Sequence, residues 1–331
     1  MEQWDVSRKS LDQTDWDGVI IGAGVAGSVA AAILARRGWS VLLLEKMAWP
    51  RSKVCGGCLN ALAVRRLQEL GLGGTLANSQ PLNCAEWHVA NRSLRLSMPG
   101  GAAVLRREFD ESLVAEAIGR GVTFCAGCRV TVLGNTSDAR RQVGIQAGSQ
   151  EITVNAKVVL AADGLGGTSL SGEPWAKWRA ARAAWIGVSA TLEDRVGELP
   201  LGVIQMHLGA GGYAGLVRLP GRRVHLAAAL DPRAMRQAGS PGALIELILR
   251  STSLEKEMKL PALRFGGTPP LTRRRERLGD YRVLVIGDAC GYVEPFTGQG
   301  MAWAIESAIQ VAEVLPASVD RWPNDLPQRW Q

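Results

Sequence analysis

The stretch that most restricts this chain is Val19-Ile-Ile21, then Gly22-Ala-Gly24-Val-Ala-Gly27, then Val41-Leu-Leu-Leu44 closing on Glu45. Two short apolar strands flank a helix predicted over Val25 to Arg37, so the unit is βαβ with the G-x-G-x-x-G spacing. Gly22 allows the tight turn at the strand end. Gly24 lets the backbone approach a pyrophosphate, which the helix N-terminus favours, and Gly27 lets helix and strand pack closely. Glu45 stands where a carboxylate accepts hydrogen bonds from an adenosine ribose. A dinucleotide site is expected here.

Two further apolar strands end in the same way. Val158-Val-Leu-Ala-Ala runs into Asp163-Gly164, and Val283-Leu-Val-Ile286 runs into Gly287-Asp288. The second continues through a turn containing Pro295, Gly298 and Gly300 into a helix predicted over Met301 to Val314. A carboxylate at a strand end accepts hydrogen bonds from a polyol, and the amides that open the next helix hold a phosphate or an electron-rich ring edge. Three such signatures suit a ligand lying across one sheet. A simple nicotinamide dehydrogenase needs only the first.

Together, G-x-G-x-x-G, A-D-G and G-D-A-x-G-x-x-x-P-x-x-G-x-G resemble the FAD-dependent geranylgeranyl reductase and aromatic hydroxylase (p-hydroxybenzoate hydroxylase-like) superfamily, in order over nearly the whole chain. Lys53-Val-Cys-Gly-Gly-Cys-Leu59 is similar to the C-G-G loop of the geranylgeranyl reductases. Arg106-Arg-Glu-Phe-Asp110 is similar to the R-x-x-F-D segment that precedes a helix throughout the superfamily. The resemblance implies an α/β protein, a Rossmann-like FAD-binding fold interleaved with a β-sheet-rich substrate domain. By position it implies that Glu45 binds ribose, Arg106 contacts the FAD, and Asp163 and Gly164 lie beside the cofactor. Asp288, after Gly287, would bind the ribityl chain, and the turn Pro295 to Gly300 would face the pyrimidine edge of the flavin. Cys55, Gly56, Gly57 and Tyr213 are the residues expected to line the ring, with no catalytic group singled out.

The expected FAD-binding part comprises residues 16–80, 100–175 and 270–315, and the substrate part residues 82–99 and 176–268. In the latter, Ala184–Ala190, Val203–Leu208, Tyr213–Leu219 and Val224–Leu230 read as strands and Ala243–Arg250 as a helix. Residues 1–15 read as a flexible polar tail without the apolar core of a signal peptide, so a cytoplasmic protein is expected. Residues 316–331 stop where many superfamily members continue into more helix, which leaves a naturally short and a truncated chain as alternatives.

With 331 residues, 47% of them hydrophobic, the chain can bury an ample core, and no run reaches the roughly 18 apolar residues of a membrane span. The net charge of +7 suits NADPH phosphates or peripheral contact with an acidic membrane surface. Arg273-Arg-Arg275 with Arg277 reads as a solvated loop leading into a strand, and no aromatic interleaving supports nucleic-acid binding. His207 and His225 fall on predicted strands as satisfied structural residues. Cys55/Cys58 and Cys125/Cys128 are C-x-x-C pairs, too far apart in sequence for a compact zinc ribbon. No metal is expected. Cys125 and Cys128 fall on a strand pattern from Val122 to Val132, while Cys55/Cys58 allow either a redox disulfide or a close loop against the flavin. Trp175, Trp178 and Trp185 suit core packing, an apolar entrance or a membrane contact.

With no Ser, His or metal constellation, the chemistry belongs to the cofactor. NAD(P)H is the expected electron donor. Two outcomes follow: a reductase passes hydride to an activated alkene or isoprenoid, and a monooxygenase activates oxygen to hydroxylate an electron-rich ring. The C-G-G loop leans toward the reductase. Geranylgeranyl reductases carry Y-x-W-x-F-P where this chain has Tyr213-Ala-Gly-Leu-Val-Arg218, which keeps the Tyr and loses the rest. The substrate is therefore read as an apolar or aromatic small molecule. A non-catalytic prenyl carrier of the same fold is a third reading, opposed by the intact glycines and acids.

Overall fold

The computed structural model describes residues 13–136, 140–193, 199–250, 260–318, 320 and 322–331. Most of the polar tail expected over residues 1–15, positions 1 to 12, lies outside the described residues.

The apolar runs identified above assemble one sheet. Its strands follow the order Gly279–Asp280, Val283–Val285, Gln150–Ala161, Asp15–Ile21, Val41–Glu45 and Thr123–Ala126, parallel except for the first. Strands buried on both faces read as continuous hydrophobic runs, which is why Val41–Glu45 and Val158 to Ala161 show no alternation. The N-terminal half of Gln150–Ala161 alternates instead, because it pairs antiparallel with the half-exposed strand Arg141–Ala147.

Register decides where the functional turns emerge. Ile21 lies opposite Leu44 and Ala161, and Val285 lies opposite Ala161. Gly22, Glu45, Asp163 and Gly287 therefore leave the sheet at one edge. The helix Val25–Arg36, alanine-rich and buried along most of its length, packs on one face beside Arg106–Gly119 and Gly300–Val314. The opposite face is covered by Cys128–Asn135 and its neighbours.

A second, mixed sheet has the order Gly266–Pro270, Ile186–Glu193, Arg223–Leu230, Gly212–Leu219, Val203–Gly209, Gln80–Val89, Arg92–Ala103 and Cys58–Leu59. Only Val203–Gly209 with Gln80–Val89 is a parallel pair. Pro241–Leu249 begins with a Ser240 side-chain cap and Pro241 in its first turn, and packs Leu244, Ile245, Ile248 and Leu249 on one face. The other face places Tyr213, Met206 and Leu208 against Leu165, Leu271 and Tyr292. Strand Arg92–Ala103 and the short Cys58–Leu59 belong to this sheet, although Cys58–Leu59 and residues 100–103 lie in stretches expected for the FAD-binding part.

Two sequence expectations change. The single strand expected over Val122 to Val132 is two, Thr123–Ala126 and Cys128–Asn135, broken at Gly127 with φ +72°. Alternation continues across that break, so the pattern alone hides it. Arg273–Arg275 is not a solvated loop but the middle strand between Trp178–Ala180 and Gly291–Tyr292. The guanidinium groups of Arg273 and Arg275 each lie 4.2 Å from the Trp178 ring centroid, and Arg275 donates to the carbonyls of Ala176 and Ala289. Among the described residues no helix is long and apolar enough to cross a membrane.

Candidate active site at the strand ends

The first turn is built by close backbone approach. Gly22 has φ +105° and its N–H donates to Leu44 O at 2.7 Å, while a Cβ there would sit 2.5 Å from Ala162 O. A Cβ on Gly27 would lie 1.9 Å from Gly22 O. Gly24 differs. Its added Cβ would meet only the tips of Arg51 and Lys53, at 3.7 and 3.8 Å, and no side chain caps the helix that follows.

Glu45 is buried and accepts from the backbone N–H groups of Ala23, at 3.2 Å, and Met47, at 3.0 Å. Arg51 donates to Glu45 at 3.2 Å, to Asp110 at 2.7 Å and to Ala23 O at 3.2 Å. Arg106 makes a two-point contact with Asp110 at 2.8 Å for each bond. Burial alone would raise the Asp110 pKa, but the Arg106 and Arg51 guanidiniums hold it below the usual carboxylate value. Arg106 thus directs its guanidinium at Asp110 on its own helix, with Cys55 beside it.

The remaining turns converge on the same edge. Asp163 accepts from Ser169 N–H at 3.0 Å with one oxygen, and its other oxygen is buried without a partner among the described residues. Gly164 and Gly287 take the left-handed conformations, φ +70° and +62°, that glycine favours. Asp288 lies 3.5 Å from Lys53. In the last turn, Gly298 N–H donates to Pro295 O at 2.9 Å, Gly300 packs beside Tyr292, and Phe296 meets Tyr213 edge-on with ring centroids 5.2 Å apart. The C-G-G loop is tied to the second sheet by His225, which contacts Cys55 O at 2.7 Å and the Thr191 hydroxyl at 3.0 Å. Gly57, with φ +70°, sits where a Cβ would be 2.8 Å from Val104 O, and nothing lies within 4 Å of a Cβ on Gly56.

A family model described as an FAD binding domain matches residues 15–322. The chain belongs to this family. It is an FAD-dependent oxidoreductase by that membership, as the resemblance implied. The menaquinone reductase of Mycobacterium tuberculosis is 27% identical over 95% of this chain and 80% of its own length. The kynurenine 3-monooxygenase of Salinispora arenicola is 29% identical over 92% of this chain and 73% of its own. The solved structure of the flavin-dependent brominase Bmp2 superposes with a TM-score of 0.82 at 21% identity, covering 96% of this chain and 82% of that one. The last likeness concerns the fold alone.

The geometry fits a flavin dinucleotide. Uncapped first-turn amides, the space above Gly24 and two bordering cations suit an anionic pyrophosphate. Arg51 and Lys53 were missed in the sequence. The available signal was two basic residues spaced closely after the acid that ends the second strand. A separate cleft of about 480 Å³, lined by His88, Leu208, Ile248 and Arg250 among others, lies away from these turns.

The histidine expectation holds for His225 and fails for His207. The latter is 2% exposed, stacks on His88 with centroids 4.6 Å apart, and neither ring nitrogen has a partner among the described residues. Burial, then His88, pushes its pKa down to about 4, so the ring is neutral at physiological pH. Cys125 and Cys128 bring their sulfurs to 2.7 Å, and no disulfide joins any two of the described cysteines. Among the described residues no group of three or more His, Cys, Asp and Glu is placed to hold a metal ion.

Proposed function

We propose that the chain is an NAD(P)H-linked, FAD-dependent reductase of the geranylgeranyl reductase type, acting on an apolar, unsaturated small molecule. The observation that carries this reading is the apolar cluster of Tyr213, Met206, Leu208 and Trp185, whose Tyr213 ring meets Phe296 of the Pro295 to Gly300 turn. The menaquinone reductase relative supports the branch. When bound, FAD supplies hydride and electron transfer. In this reading Gly22, Gly24 and Gly27 admit the pyrophosphate, Lys53 and Arg51 neutralise it, and Glu45 takes the adenosine ribose. Arg106, clamped by Asp110, positions the C-G-G loop of Cys55, Gly56 and Gly57 against the flavin, and His225 holds that loop from the other side. Asp163 and Gly164 flank the cofactor and Asp288, after Gly287, takes its ribityl hydroxyls. Pro295, Gly298 and Gly300 close on the pyrimidine edge. Residues 16–80, 100–175 and 270–315 bind the cofactor, with Cys58–Leu59 and residues 100–103 joining the second sheet, and residues 82–99 and 176–268 cover the substrate.

Asp288→Ala removes an acceptor aimed at the ribityl chain and leaves Lys53 without its 3.5 Å partner. Its FAD affinity should fall about tenfold or more, in line with losing a hydrogen bond to a charged group. Flavin absorbance per mole of purified protein reads this directly, and full occupancy would remove the role assigned to Asp288.

A monooxygenase is the second reading, favoured by the kynurenine 3-monooxygenase relative. Rapid mixing of reduced protein with oxygenated buffer separates the two. The reductase predicts slow, single-phase return of the oxidised flavin spectrum with or without phenols. A phenol-dependent transient in that trace would assign the chain to oxygen chemistry.

A further inference from the structure

Cys125 and Cys128 are a C-x-x-C pair that the flavin chemistry leaves unused. Cys125 lies on Thr123–Ala126, the terminal strand of the first sheet, and Cys128 opens Cys128–Asn135. Gly127, left-handed at φ +72°, turns the chain between them. The turn brings the two sulfurs to 2.7 Å in a buried position, with Cys125 8% and Cys128 0% exposed. Side chains this close join without backbone movement.

The surroundings suit two thiols poorly. Both Sγ atoms point at one carbonyl, Ala126 O, at 3.9 Å from Cys125 and 3.4 Å from Cys128. A thiol is a weak donor that still needs an acceptor, whereas a disulfide has no donor to satisfy. A metal ion asks for more than two sulfurs, and among the described residues no group of three or more candidate ligands comes together. The pair also differs from a catalytic dithiol, since both residues sit on strands rather than at a helix N-terminus. The hydrogen bond with Cys125, then burial, drives the Cys128 pKa upward, so thiolate is scarce and exchange is slow.

Position gives the pair its consequence. Leu44 pairs with Cys125, and Glu45 with Ala126. Gly127 N–H donates to Met47 O at 3.1 Å, and Met47 N–H donates to Glu45 at 3.0 Å. The turn between the cysteines therefore backs the Glu45 turn.

We propose that Cys125 and Cys128 are a dithiol–disulfide couple, oxidised by a small disulfide such as glutathione disulfide, whose bond closes the turn behind Glu45. Local opening of the short terminal strand admits the oxidant. Cys125, the more exposed, attacks one sulfur of the small disulfide and expels a thiolate, which takes up the Cys125 proton. Cys128 then attacks Cys125 and expels the second thiolate, which takes up the Cys128 proton. Two protein thiols are oxidised and one small disulfide is reduced to two thiols. The couple is independent of the reaction proposed above.

The test equilibrates the FAD-loaded protein in glutathione buffers of graded oxidation, quenches it with acid and alkylates it in urea. Trypsin releases residues 121–129, which contain Cys125 and Cys128 and no other cysteine. In oxidising buffers that peptide should be lighter by two hydrogens and carry no label. A second series kept in urea throughout supplies the unfolded reference. The folded protein should favour the disulfide roughly tenfold or more over that reference, because the fold already holds the sulfurs together. Cys128→Ser should show no intramolecular bond at Cys125 at any ratio. A peptide labelled at both cysteines across the folded series overturns the proposal, as does equal oxidation in the two series. A bond from either residue to a different cysteine overturns it too. Should Cys128→Ser fail to fold, the two wild-type series decide alone.

Discussion

Gly27→Ala is expected to break the packing of the first βαβ unit and release the flavin. The new Cβ would sit 1.9 Å from Gly22 O, and the opposing atom is backbone held in turn by the Gly22 N–H bond to Leu44 O. No side chain can move aside, so the helix Val25–Arg36 must shift off the strand. Overpacking ordinarily costs about 1–3 kcal/mol, and a backbone obstacle places this substitution at or above the upper end. The helix carries the amides proposed to face the pyrophosphate, so FAD content should fall with stability. Gly172→Ala is the control, since nothing lies within 4 Å of its added Cβ. It should stay within about 0.5 kcal/mol of wild type in a urea titration. Wild-type stability in Gly27→Ala would mean that helix and strand are not in the contact described.

Asp110→Ala should cost about 3–5 kcal/mol, the range for removing one partner of a buried ion pair. Asp110 is fully buried, Arg106 is 6% exposed, and Arg51 reaches the same carboxylate at 2.7 Å. Its loss strands the Arg106 guanidinium in a low-dielectric interior, while Arg51 keeps its contact with Glu45. The wild-type cluster also carries a pH signature. The folded pKa of Asp110 lies below its ordinary 3.8, because Arg106 and Arg51 outweigh burial. A depressed carboxylate contributes stability above its unfolded pKa and loses it as pH falls through the folded value. That contribution is complete above about pH 5 and declines below about pH 4. Urea midpoints across that range should fall more steeply for wild type than for Asp110→Asn, which has no proton to take up. Parallel curves would show that Asp110 is not the titrating group.

What the local pattern conveys and what it hides differ in kind. Gly22 was legible as a tight turn, and Gly27 as a close helix–strand contact, because the constraint acts between neighbouring residues and leaves a spacing in the sequence. The strand ends were legible for the same reason, since a strand buried on both faces shows as an apolar run. His225 was not, as its partner Cys55 lies 170 residues away and nothing local marks the pair. Arg51 and Lys53 were hidden differently. Their positions follow an acid that was read correctly, but the direction of a long flexible side chain is set by what surrounds it. Arg275 shows the same limit: three consecutive arginines looked solvated, and the Trp178 ring and two carbonyls bury the third.

The sequence by itself determined a dinucleotide site, the βαβ unit and the order of the three strand-to-turn signatures, because glycine spacing and hydrophobic runs are local consequences of backbone geometry. Only the tertiary structure decided that Ile21, Leu44, Ala161 and Val285 share one register, so that their turns meet at a single edge. It alone brought Tyr213 of the second sheet against Phe296 in the Pro295 to Gly300 turn. The physical reason is that parallel pairing and the packing of turns on a sheet join residues far apart in the chain, and no local spacing records which of them meet.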